Sequence, residues 1–214
     1  MEFLPSASVL ITFSLAAAVV IIAPGPDMTL FLGKTLSQGR RAGIVSYLGA
    51  TAGLFVHTFF AAFGLSALLA ASAEAFTALK IVGALYLLWL AIDAIRNGSA
   101  LDVSRDQESH QRLGHVFLTG VGINLLNPKI ILFFVTFLPQ FVSAGDPNAA
   151  AKMTFLGVYF IALAVPFCLA VIVAADRIAE TVKRSPVVTR IMDWVFASVF
   201  ASFAVRLLLE PSRD

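Results

Sequence analysis

Little in this sequence suits water. Only 13% of its 214 residues are charged, about half of the roughly 25% usual in a soluble domain. The apolar residues, 59% of the chain, fall into runs longer than one globular core can absorb. The single cysteine, Cys168, excludes a disulfide framework, a Cys-rich metal site and a dithiol electron carrier. Inside an apolar run it reads as a small buried hydrophobe. The net charge of +2 is too small, and its basic residues too dispersed, for a nucleic-acid partner. No nucleotide-binding loop occurs, which argues against direct ATP drive, and no cofactor is expected. The opening MEFLPSAS holds no Lys or Arg, so the first apolar run lacks the basic flank of a cleavable signal and reads as a retained segment.

What is present fits a bilayer. A crossing helix needs about 20 mostly apolar residues, and six segments qualify: 7–33, 42–71, 76–95, 116–142, 153–175 and 189–209. The second and fifth contain no Asp, Glu, Lys or Arg. Strict two-residue alternation is absent and the runs far exceed a barrel strand of about 10 residues, which leaves helices. The expected fold is an all-α membrane protein with six transmembrane helices. The polar stretch from Arg96 to Arg112 divides it into a three-helix repeat at 1–95, a cytoplasmic loop at 96–115 and a second three-helix repeat at 116–214.

Orientation follows from the basic residues. Lys34, Arg40 and Arg41, then Arg96, Arg105 and Arg112, then Arg177, Lys183, Arg184 and Arg190 follow the first, third and fifth spans, ten of the fifteen Lys and Arg. The opposite side holds only Lys80, Lys152, Arg206 and Arg213. Basic loops face the cytoplasm, so both termini are expected outside. Trp89 and Trp194 fall near the cytoplasmic ends of the third and sixth spans, where indoles anchor at the interface.

Two spans are interrupted. Ala23 to Met28 reads APGPDM and Asn124 to Lys129 reads NLLNPK, each with proline deep in apolar sequence, where it removes a backbone donor and breaks the helix. Aligned at an offset of 102, Gly25–Phe31 and Asn127–Phe133 share Pro, Leu and Phe at three positions. With three spans per half, the second copy enters the membrane from the other side. The expectation is an inverted repeat with broken first and fourth helices and a binding site where the breaks meet.

Pro24, Gly25, Pro26 and Asp27, with Asn124, Asn127, Pro128 and Lys129, are therefore the candidate substrate-binding residues. Asp27 and Asn127 stand where a side-chain oxygen can cap the restarted helix, and Pro128 suits its first position. Two helix N-termini would offer donors to a carboxylate, and Asp27 would suit an ammonium. Asp27 and Lys129 are expected to face each other across the cavity. Intramembrane charge points to function, so Asp27 is a proton-coupling candidate as well, with His57 as the second. Asp93 and Arg206 lie near span ends and can snorkel. Gly49 and Gly53 form a small face beside Ser46 and Ala50 that packs on another helix, within the monomer or across a homodimer.

At these motifs the chain resembles the lysine exporter family, in particular its homoserine/threonine resistance branch (LysE/RhtB). The marks are PGPDM at 24–28, SQGRRAG at 37–43, GLSALLA at 64–70, KIVGALYLLWLAI at 80–92 and NLLNPKIILFFVTFLPQF at 124–141. The resemblance implies a bacterial inner-membrane exporter of amino acids or their derivatives, driven by the proton gradient. Many members carry Asn where this chain has Asp27, which implies substrate or coupling chemistry particular to that charge. An intramembrane aspartyl enzyme would need a second carboxylate facing Asp27, and Asp93 lies near a span end. A passive channel or a membrane scaffold shares this composition and is the alternative reading.

Overall fold

Every regular element in the computed structural model is a helix among the residues it describes, which are 4–65, 111–143 and 146–184 together with 78, 81, 82, 84, 85, 88, 89, 91, 92, 95 and 96, and 187, 190, 191, 194, 195, 197, 198, 201, 202, 204 and 205. The first helix, α1 (Ala7–Ile22), starts at Ser6, whose Oγ accepts from the Val9 amide at 3.4 Å. It stops at Ala23, because a residue before proline is pushed out of the helical region. Helix α2 (Pro26–Gln38) restarts with Pro26 in its first turn, where the missing N–H costs nothing. Gly39, at φ 88°, ends α2 in a left-handed turn that only glycine adopts readily.

Helix α3 (Arg40–Phe59) follows at once and continues through π-type turns at Phe60–Leu65. Its 26 residues span roughly 39 Å at 1.5 Å per residue, more than the ~30 Å hydrocarbon core. Helix α4 (Leu113–Leu125) is followed by α5 (Pro128–Leu132), which runs on through a π segment, Phe133–Phe137, and a tighter turn, Leu138–Phe141. The second long span is α6 (Ala149–Val173), and the short α7 (Ala175–Arg184) closes the series.

The expected breaks are present. α1 with α2, and α4 with the segment from Pro128 to Phe141, are each apolar and long enough to count as one crossing, and each bends by 51°. These pairs with α3 and α6 correspond to the first, fourth, second and fifth predicted spans. About half of the third and sixth spans, with Lys80, Asp93 and Arg206, and most of the polar loop lie outside the described residues. Where described, the third and sixth spans are helical, and their Ala84, Ala91, Ala197 and Ala204 are buried with Ala23 and Leu132. Trp89 and Trp194 face outward. One expectation is corrected: α2 runs to Gln38, so Lys34 is a buried helical residue and not part of a solvated loop.

The small face of α3 is used inside the chain. A Cβ at Gly49 would overlap the Phe117 carbonyl, one at Gly53 the Asn124 side chain, and one at Gly120 the Ser46 carbonyl. Residue numbers rise together along the two helices, so α3 and α4 run parallel and Leu65 and Leu113 lie at opposite ends of the pair. Of the two partners open to Gly49 and Gly53, the structure selects α4 of the same chain. That face is therefore closed to a homodimer.

An aromatic core joins α1, α6 and the segment that continues α5. Phe133 packs on Phe160 with ring centroids 4.5 Å apart, and Phe13 meets Phe141 edge-on at 5.2 Å. One polar tie lies beside it, Ser14 Oγ at 2.9 Å from Tyr159 Oη, and another lies at the surface, where Arg40 donates to the Val173 carbonyl at 3.2 Å. The latter places a cation on the unpaired carbonyls of the α6 C-terminus. Outward, Leu48, Phe55, Phe59, Phe60 and Phe63 on α3 and its extension are exposed. Lipid is the solvent such a surface requires.

Candidate functional site

The two breaks meet, and the first is completed by a residue of the second. At the first, Gly25 holds the capping position in extended backbone with no side chain to cap α2. Its missing Cβ leaves space that Lys129 uses: an added Cβ would stand 3.2 Å from Lys129 Nζ. That ammonium donates to the Ala23 carbonyl at 2.6 Å. At the second break, Asn127 Oδ1 accepts from the Lys129 amide at 3.1 Å and Pro128 opens α5. Asn124, in the last turn of α4, donates through Nδ2 to Asp27 Oδ2 at 2.7 Å. Lys129 to Ala23 and Asn124 to Asp27 are thus two bonds donated by the second half to the first.

Asn127 caps its helix as the sequence suggested, but Asp27 does not. Asp27 is the second residue of α2, behind Pro26, and its carboxylate turns to Asn124 instead. Gly25 holds the capping position, so the Asp27 carboxylate already lies inside the first turn, where it meets the Asn124 amide. Asp27 and Lys129 do line one cavity, yet the lysine is turned to the Ala23 carbonyl and forms no ion pair with the carboxylate. Pro24, Gly25 and Pro26 form the first break and its restart, with Pro26 exposed.

The cavity has about 50 Å³ of enclosed space, within about 460 Å³ of empty space that includes open solvent at its mouth. Asp27, Met28 and Phe31 line it from α2, Tyr47, Ala50 and Leu54 from α3, Asn124 from α4, Lys129 and Ile130 from α5, and Phe160, Ala164 and Cys168 from α6. Asp27 Oδ1, Asn124 Oδ1, Asn127 Nδ2 and Tyr47 Oη are buried without a well-formed hydrogen bond, with Asn127 beside Asp27, and Thr51 and Cys168 beside Tyr47. Buried polar atoms are normally paired, so this concentration of incompletely paired acceptors and donors marks the place where a polar ligand gains most.

His57 does not line the cavity. Its Nε2 is 3.3 Å from the Asn124 carbonyl and its ring stacks on Phe134 with centroids 5.6 Å apart. A carbonyl oxygen only accepts, so Nε2 carries the proton in this bond. His57 stands behind Asn124 and holds the end of α4. Sequence reasoning missed Tyr47, Phe31 and Phe160 and gave Cys168 no role at the site. For Tyr47 a signal existed: Tyr47, Ala50 and Leu54 recur at helical spacing on one face.

The LysE type translocator family model matches residues 18–211. The chain belongs to the LysE type translocator family. Among its relatives, the homoserine/homoserine lactone efflux protein of Salmonella typhimurium is 30% identical over 201 residues, covering 94% of this chain and 95% of that one. An uncharacterized membrane protein of Vibrio cholerae is 32% identical over 193 residues, covering 89% and 91%. The uncharacterized membrane protein YrhP of Bacillus subtilis is 31% identical over 177 residues, covering 79% and 84%. No solved structure matches the chain. As a LysE type translocator it is a membrane transporter of the efflux class, and both helix breaks fall inside the matched region.

Proposed function

We propose that this translocator exports small amino acids or their derivatives across the bacterial cytoplasmic membrane, as a proton-coupled secondary transporter. The observation that carries the reading is the pair of 51° breaks tied to each other by Lys129 and Asn124 around one polar cavity. A zwitterion suits it: Asp27 Oδ1 and Asn124 Oδ1 can accept from an ammonium, while Lys129 and the positive ends of the restarted helices attract a carboxylate. The homoserine efflux relative supports the same substrate class.

The architecture proposed with it is six spans in two inverted three-helix repeats, 1–95 and 116–214, joined by a cytoplasmic loop at 96–115. Parallel α3 and α4 support it, because their connection must then cross the membrane an odd number of times. With the basic loops inside, both termini are external. Asp27 is the proposed proton carrier, since it is the carboxylate in the cavity. One proton moved down 100 mV yields about 2.3 kcal/mol, enough for a gradient of roughly 50-fold.

Vesicles carrying the purified protein test this directly. Uphill movement of L-homoserine that collapses with an uncoupler is expected. Downhill flux alone would mean a channel, and no flux at all a scaffold. Reporter fusions in the loop at Arg105 should read cytoplasmic and at the C-terminus external.

A further inference from the structure

The last turn of α4 is one donor short. In an unbroken helix the Asn124 carbonyl would accept from the amide of the residue four positions on, and that residue is Pro128, which has no N–H. A carbonyl oxygen has two lone pairs. The Asn127 amide takes one in a tighter turn, at 3.0 Å. His57 takes the other from α3, with Nε2 at 3.3 Å, and its ring is fixed by stacking on Phe134 of the segment that continues α5.

The same face of α3 confines the other end of Asn124. Gly53 stands four positions before His57, a spacing that puts both on one helix face. A Cβ at Gly53 would lie 2.5 Å from Asn124 Oδ1 and 2.9 Å from the Asn124 Cβ. So α3 packs on the side chain of Asn124 through Gly53 and holds its carbonyl through His57. Asn124 is only 1% exposed, and its amide, held in this way, donates to Asp27 Oδ2 at 2.7 Å. Neither His57 nor Phe134 lines the cavity, whereas Asn124 and Asp27 do. His57 therefore reaches the cavity through Asn124.

We propose that His57 is a positioning residue for Asp27: by supplying the donor that Pro128 lacks, it fixes the last turn of α4 so that the Asn124 amide engages the Asp27 carboxylate. Its consequence for transport rests on the reading of this cavity as an amino-acid site. The test separates the donor from the ring. His57→Gln keeps an amide donor near the Nε2 position and loses the ring, whereas His57→Phe keeps a ring to stack on Phe134 and loses the donor. The chain has four asparagines, so the full-length protein carrying isotope-labelled asparagine gives a sparse side-chain amide spectrum in detergent, with the Asn124 signal identified by its loss in Asn124→Asp. His57→Phe is expected to move that signal toward its position in Asp27→Ala and to weaken L-homoserine binding about fivefold. His57→Gln is expected to keep the wild-type signal and an affinity within about twofold. An Asn124 signal unmoved in His57→Phe overturns the inference, whatever the affinity does, and leaves the amino-acid site standing. So does a His57→Gln that behaves as His57→Phe, because the ring and not the donor would then hold Asn124. A signal that moves as expected in a protein that binds no L-homoserine keeps His57 in its role and overturns the amino-acid reading instead.

Discussion

The two helix breaks have the same 51° bend and reach it by different chemistry. The second is locally complete: Asn127 caps its restarted helix and Pro128 occupies the first turn. The first has no side-chain cap, and its Ala23 carbonyl is satisfied by Lys129 from the other half. One break therefore holds itself open, and the other is held open from across the cavity. A site built this way can couple the halves, because whatever moves Lys129 also changes the backbone at Ala23.

The largest effect is expected where that dependence is cut. Lys129→Gln removes the ammonium from the Ala23 carbonyl and the cation that shares the cavity with Asp27, and the lost charge-assisted bond alone costs about 1.5–3 kcal/mol. Export should fall at least tenfold, read as L-homoserine flux in vesicles, with a lower melting midpoint in detergent. Adding Asp27→Asn should restore the midpoint more than the flux, and a double-mutant cycle isolates the coupling. If the two losses simply add, the halves are not coupled through this pair.

Gly53→Ala comes next. Its Cβ would stand 2.5 Å from Asn124 Oδ1, an overpacking that costs about 1–3 kcal/mol and displaces Asn124 from Asp27. Substrate affinity should weaken together with stability, whereas a purely structural role would lower stability alone. Asn127→Ala should remove only the local cap of the second break, about 1 kcal/mol. The first break should hold, with hydrogen exchange at Thr29 unchanged and that at Lys129 faster.

The smallest effect is expected away from both breaks. Lys152 donates to Asp146 between α5 and α6, and this bond holds the Asp146 carboxyl below the ordinary carboxylate range. A depressed carboxylate stabilises above its unfolded-state pKa, and the gain is lost as pH falls through the folded value. The pair is solvent-screened, so Asp146→Asn should leave the neutral-pH melting midpoint within scatter and flatten only a slight acid-side decline.

Much of this was legible in the sequence because the causes are local. Proline at 24, 26 and 128 breaks helices whatever surrounds it, and Asn127 before Pro128 is a cap by its own chemistry. Asp27 was misjudged as a cap because its preferred partner, Asn124, lies 97 positions away. The small face of Gly49 and Gly53 announced close packing without naming the helix it meets. Tyr47 shares a helical face with Ala50 and Leu54, but that spacing does not say what the face lines until α1, α2, α4, α5 and α6 close around it.

The sequence by itself determined the solvent, the helices, the places where they break and the family. Each follows from the composition of a segment or the stereochemistry of one residue, and needs no distant partner. Only the tertiary structure decided that Lys129 serves Ala23 across 106 positions, that α3 packs on α4 of its own chain, and that Tyr47 and Cys168 share a cavity with Asp27. In a dry interior a polar group takes the best partner that packing brings within reach, and packing is a property of all the helices together.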